Sequence, residues 1–139
     1  MPVYPPVPRE LGVSERTTTA TTTSTAVDGA AFASPWTLTF VVAHITNVEI
    51  VIHVPQIAHS STEWAGVICW LDSATNLGVR YFWSWLANLP EGGKTGVWRT
   101  TLTAGSHTVE VRGKVGAAGT GTFAMTSTDK GILRVREVG

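Results

Sequence analysis

The chain has 139 residues and a mass of 14.8 kDa, the length of one domain. Charged types make up 14% and apolar types 43%; a typical soluble domain carries about 25% charged residues, so part of this surface is neutral. Ten Lys plus Arg balance ten Asp plus Glu, which removes the electrostatic term behind non-specific nucleic-acid binding and favours covering the neutral surface in an oligomer or a larger assembly.

The first sixteen residues hold four of the seven prolines. Proline fixes φ and removes a donor, so residues 1–16 are expected as an extended, polyproline-like docking arm, with residues 17–139 forming the folded domain. Val3, Tyr4, Val7 and Leu11, with Pro5 and Pro6 stiffening the chain, would give such an arm an apolar surface to lay along a neighbour. The run Thr17-Thr18-Thr19-Ala20-Thr21-Thr22-Thr23-Ser24-Thr25 reads either as a flexible stalk or as a strand of β-branched residues. The turn residues Asp28-Gly29 behind it favour a strand.

From Trp36 onwards the hydrophobic period is close to two. Trp36, Leu38, Phe40 and Val42 alternate with Thr37, Thr39 and Val41, and Val48, Ile50, Ile52 and Val54 alternate with Glu49, Val51 and His53. That is the mark of strands with one packed face. Trp64 to Leu71 is an apolar run closed by Asp72-Ser73. Val79 to Ala87 places Tyr81, Trp83 and Trp85 on one face and Phe82 and Leu86 on the other. Trp98, Thr100 and Leu102 lead to an Ala104-Gly105-Ser106 hairpin turn, Val109 and Val111 return, and Gly116 to Gly121 is a glycine turn. Phe123 and Met125 continue, Asp129-Lys130-Gly131 turns the chain, and Ile132 to Val138 is the last strand. Regular short strands with glycine-rich turns and no capped helical period predict an all-β fold, an antiparallel sandwich or barrel. The strand number and the doubly apolar strands select a jelly-roll β-sandwich.

Cys69 is the single cysteine, which excludes an intrachain disulfide and a cysteine-based zinc cage. Met1 runs into prolines rather than a basic segment with an apolar core, so no signal peptide is expected, and the apolar runs are too short and broken for a membrane-inserted helix. No G-x-S-x-G elbow, P-loop or dinucleotide fingerprint occurs. The acidic residues are scattered singly; Glu63, Asp72 and Glu91 lie near loops without a pattern that would pair them as glycosidase chemistry requires. His44, His53, His59 and His107 lack metal-site spacing. A cupin-like enzyme would need His44 and His53 beside Glu49 on neighbouring strands. The expectation is a non-enzymatic protein without cofactor or metal.

Six tryptophans stand out. Trp36, Trp64 and Trp70 are most simply core. Tyr81, Trp83 and Trp85, with Trp64, are candidates for contact with a partner chain or a glycan, because tryptophan marks interface hot spots and offers a flat stacking surface. Phe82 and Leu86 also want burial, and a small sandwich has one interior, so this segment points to a subunit contact.

Leu102-Thr103-Ala104-Gly105-Ser106-His107-Thr108-Val109-Glu110-Val111, Gly119-Thr120-Gly121-Thr122-Phe123 and Gly131-Ile132-Leu133-Arg134-Val135-Arg136-Glu137-Val138 together resemble the closing strands of small virion proteins of tailed bacteriophages, above all minor tail or fibre-tip proteins of phages that infect actinobacteria. The likeness covers roughly residues 96–139. It implies a trimeric jelly roll of tumour-necrosis-factor type, attached to a phage tail, with partners that are its own copies and, through the arm, other virion proteins. It offers no catalytic residues. A capsid decoration protein and a lectin-like module for host cell-wall glycan are the alternatives.

Overall fold

The computed structural model describes residues 9–83, 87–88 and 92–138, with Trp83 as backbone alone. Val3, Tyr4, Pro5, Pro6, Val7 and Trp85 lie outside the described residues.

Among the described residues the chain forms strands and no helix: β1 Arg9–Arg16, β2 Ala20–Thr22, β3 Ala30–Val42, β4 Thr46–Val54, β5 Gln56–His59, β6 Trp64–Leu71, β7 Thr75–Trp83, β8 Lys94–Leu102, β9 Gly105–Val115, β10 Gly121–Ala124 and β11 Gly131–Glu137. They pair antiparallel in two four-stranded sheets, β1-β11-β4-β8 and β3-β9-β6-β7, with a three-stranded sheet β2-β10-β5. Consecutive strands β3, β4 and β8, β9 switch between the large sheets, as in a jelly roll; Ala104-Gly105-Ser106, expected as a hairpin turn, therefore joins two sheets instead of pairing its flanking strands.

The alternation read from the sequence explains the core. Val48, Ile50, Ile52 and Val54 of β4 are fully buried against Val109, Val111 and Val115 of β9 and Ala65, Val67 and Cys69 of β6. Ala20, Ile57 and Phe123 of the small sheet join the same cluster. Burying an aliphatic side chain of this size contributes about 1.5–3 kcal/mol. Strand β3 bulges between Ala31 and Trp36. The bulge turns Phe32 inward, 5.5 Å from the Phe123 ring, and puts Pro35 where no ladder donor is needed. Gly113 sits beneath Phe32; a Cβ there would come within 2.7 Å of the ring.

At one long edge the two large sheets are stitched together. The Trp98 indole of β8 is buried and donates Nε1–H to the Gly78 carbonyl of β7 at 2.9 Å. The Arg80 guanidinium covers that indole at 4.9 Å and donates to the Val97 carbonyl from Nη2 at 2.8 Å and Nε at 3.2 Å. Gly78 has φ of +112°, a conformation that disfavours any side chain.

Three expectations change. Residues 9–16, placed by sequence in the arm, are the edge strand β1, paired with β11 from Arg9↔Glu137 to Arg16↔Gly131. Residues 9–16 therefore belong to the folded domain, and the apolar Leu11 packs on the chain's own core. The threonine run yields only the short strand β2; residues Thr23 to Gly29 lie outside the strands as a loop. Trp64 and Trp70, expected in the core with Trp36, are half-buried on the outer face of β6, since the strand's inward positions are Ala65, Val67, Cys69 and Leu71.

Candidate functional site

Strand alternation sends Trp64, Gly66, Ile68 and Trp70 of β6 to the outside of the β3-β9-β6-β7 sheet. Their neighbours on β7 are Tyr81 opposite Gly66 and Val79 opposite Ile68. On β9 they are Lys114, Arg112 and Glu110. Trp64 meets Tyr81 edge to face, ring centroids 4.3 Å apart. Glycines make room for the indole: a Cβ on Gly116 would lie 2.2 Å from Trp64 Nε1, and one on Gly66 would lie 3.3 Å from its six-membered ring. Tyr81 is 56% exposed. Farther along, the Arg112 guanidinium lies 4.1 Å above the Trp70 ring and is held by Glu110 Oε1 at 2.6 Å.

A loop divides this aromatic face. Lys114 Nζ donates to the carbonyls of Thr25 and Ala26 at 3.0 and 2.8 Å. Asn76 Nδ2 donates to Asp28 Oδ1 at 3.0 Å. Gly29 presses on Ile68, where an added Cβ would approach Cδ1 to 3.0 Å, and Ile68 is fully buried although it points away from the core. The outer face thus carries two aromatic patches, Trp64 with Tyr81 and Trp70 with Arg112. The continuous ribbon expected over Tyr81, Trp83 and Trp85 is described only at Tyr81; Trp83 stands opposite Trp64 in the register. Phe82 packs against the core. Leu11, an expected docking residue, is also held there and does not reach outward.

Several of the polar groups weighed for chemistry are engaged in structural bonds. Glu49 is on the outer face of the other large sheet, in line with Arg99 of β8 and Arg136 of β11. Its Oε2 accepts from Arg99 Nε and Nη2 at 3.1 and 2.9 Å, and its Oε1 accepts from Arg136 Nε and Nη2 at 3.0 and 2.5 Å. The two forks cover the carboxylate, and the bonds from Arg136 and then Arg99 hold its pKa below the ordinary glutamate value. His53 shares a hydrogen bond of 2.9 Å with Thr95 Oγ1, and His44 is exposed in the β3–β4 turn. Among the described residues no three metal-binding side chains converge.

His107 is tied at both ring nitrogens. Nδ1 lies 2.7 Å from Asp72 Oδ2 and Nε2 lies 2.8 Å from the Thr103 carbonyl oxygen. A carbonyl and a carboxylate only accept, so both bonds are complete when the ring carries two protons. The bond to Asp72, then the bond to Thr103, raises the His107 pKa above the ordinary histidine value. Asp72 Oδ1 also accepts from Thr108 N at 2.8 Å, which locks the β6–β7 turn to β9.

Sequence reasoning passed over Arg16. It is 8% exposed, its Nε donates to the Thr18 carbonyl at 2.9 Å and its Nη1 to the Ser34 carbonyl at 2.6 Å. Its one legible signal is isolation: from Glu10 to Val79 it is the sole Lys or Arg.

The sequence matches no protein-family profile and no curated protein sequence. Among solved structures it is similar to Eiger TNF from S. frugiperda, with a TM-score of 0.57 and 12% identity over 94% of each chain. At that identity the likeness speaks to the fold, and with the strand order above it defines the class: an antiparallel jelly-roll β-sandwich of the TNF-like type. Two further structures with TM-scores of 0.43 are the sugar-binding C-terminal domain of EclA, 17% identical over 90% of this chain and 77% of that one, and a carbohydrate-binding module of Cellvibrio mixtus lichenase 5A in complex with cellotriose, 14% identical over 91% and 88%.

Proposed function

We propose that this chain is a non-enzymatic structural subunit of a bacteriophage virion, placed on the tail or its tip and assembled as a homotrimer. The observation that carries the reading is apolar surface left outside a filled core. Tyr81, Val41 and Ile45 are 56%, 65% and 68% exposed, and the Trp64 indole is only half-buried. Aromatic rings held rigid on a sheet face lose little entropy when a neighbour covers them. The segments that resemble phage virion proteins fall on the end of β8, on β9, on β10 and on β11 of this jelly roll. Residues 1–8 are the proposed link to other virion proteins, and the virion is the proposed location. Native mass spectrometry of the purified full chain tests the assembly: a trimer is expected, and a stable monomer at micromolar concentration overturns it. Copy number per particle separates tail from head, since a decoration protein of the capsid would be present in many copies.

The Trp64–Tyr81 pair supports a second reading, a module that stacks host cell-wall glycan. A saccharide titration followed by tryptophan fluorescence tests it. A saturable shift that is lost in Tyr81→Ala is expected, and no response at millimolar sugar removes this reading.

A further inference from the structure

Arg16 is a buried cation with no counter-ion among the described residues. Among the described residues it forms no ion pair with a carboxylate; Glu15 beside it is held by Lys130 Nζ at 2.9 Å. Its bonds go to two neutral carbonyls, Thr18 and Ser34, and Nη2 has no hydrogen-bond partner among the described residues. The Phe32 ring lies 5.5 Å from the guanidinium carbon. The unpaired Nη2 is not among the buried unpartnered atoms, so this edge of the guanidinium is open to the groove, while partial burial lowers the Arg16 pKa from its ordinary value.

The same side chain lines a groove of about 360 Å³ between β2 and the bulge of β3, walled by Thr18, Thr19, Thr21, Phe32, Ala33 and Ser34. That volume is within the range of small-ligand sites, which begin at about 300 Å³. The walls hold hydroxyl groups and no charge other than Arg16. One fixed guanidinium with an unused edge matches one planar monoanion, where a dianionic phosphate would bring a second, uncompensated charge.

We infer that the groove at Arg16 is a carboxylate-binding site, with the carboxylate on the guanidinium and the neighbouring threonine and serine hydroxyls contacting whatever carries it. The reading is independent of virion assembly. It predicts a ligand that is a small carboxylic acid or the acid group of a uronic-acid sugar.

The test is a thermal-unfolding titration of the full chain with sodium acetate, sodium glucuronate, sodium chloride and glucose, the salts at matched ionic strength. Both carboxylates are expected to raise the unfolding temperature saturably, with chloride and glucose inactive. Equal affinity for acetate and glucuronate assigns the site to the carboxylate alone; tighter glucuronate binding assigns the rest of the groove to a sugar ring. Ala33→Trp fills the groove from an exposed position without touching the bonds of Arg16, and is expected to weaken binding by roughly tenfold or more. Nuclear magnetic resonance of the wild type locates the ligand even if that variant folds poorly: acetate should shift Arg16 Nε–H and the amides of Thr18 and Thr21. No response beyond that of chloride, unchanged affinity in a folded Ala33→Trp, or shifts confined elsewhere would overturn the assignment.

Discussion

His107 shows how a single ring ties three segments. Its two acceptors, Asp72 and Thr103, come from the β6–β7 and β8–β9 turns, and Phe40 of β3 flanks it at 6.1 Å. Because folding raises its pKa, the doubly protonated ring is bound more tightly by the folded state than by the unfolded chain. The stabilisation is therefore complete below the unfolded value near 6.5 and is lost as pH rises through the higher folded value. Denaturant midpoints measured from about pH 6 upward should fall, and in His107→Gln this fall should disappear. Glu49 has the opposite sign: its depressed pKa means its contribution is present at neutral pH and lost on acidification through the folded value. Neither constellation was legible in the sequence. His107 reads as one position of a hairpin and Glu49 as a carboxylate between His44 and His53, because their partners lie 35, 50 and 87 residues away. Arg16 was hidden differently, by a threonine run whose composition masks one functional side chain.

At the level of strands, much was legible. The alternations Trp36 to Val42 and Val48 to Val54 give β3 and β4 with the inward residues expected, and His53 points outward as the pattern requires. What failed was reading through proline and threonine. Edge strand β1 has weak alternation and follows a proline cluster, yet it gains its place from the β11 ladder and from ion pairs such as Arg9–Glu137 at 3.0 Å and Arg134–Glu10 at 3.0 Å. Such exposed pairs are each worth about 0–1 kcal/mol, so the strand is held mainly by its ladder and by Leu11. The outward tilt of Trp64 and Trp70 was missed because β6 is apolar on both faces, where period alone does not choose a side. Two truncations separate the arm from the strand. Removal of residues 1–8 keeps the β1–β11 ladder and Leu11, and should leave the unfolding temperature within a degree or two. Removal of residues 1–16 should lower it by roughly 10 °C or more, since β11 then becomes an uncovered edge and the Arg16 bonds are lost. A smooth, equal loss for both would contradict the placement of residues 9–16 in the folded domain.

For the molecule as a whole, the registers put the start of β1 and the end of β11 side by side. Arg9 pairs with Glu137, Glu137 with Val48, Thr46 with Leu102 and Val42 with Gly105. The chain therefore enters β1 at the end of the sandwich that carries the β3–β4 turn and the exposed Ile45. The domain carries an apolar turn at one end, an aromatic face on one sheet and a charge-laddered face on the other. These are distinct surfaces, which suits assembly around an axis better than a symmetric pair. The fold class followed from strand patterning alone; the division of the surface did not, because it depends on the Thr25–Gly29 loop roofing Ile68, a contact between segments far apart in sequence.

Cys69, at the centre of β6, has no solvent exposure, and burial pushes its thiol up to about 12. An alkylating reagent needs the thiolate, so the closed sandwich should be inert to it at neutral pH. Each modified molecule then records one opening of the middle of the sheet. Labelling rates across a denaturant series, read by intact mass, should track global unfolding, and rapid modification of the native chain would show that the centre breathes far more often than its packing implies.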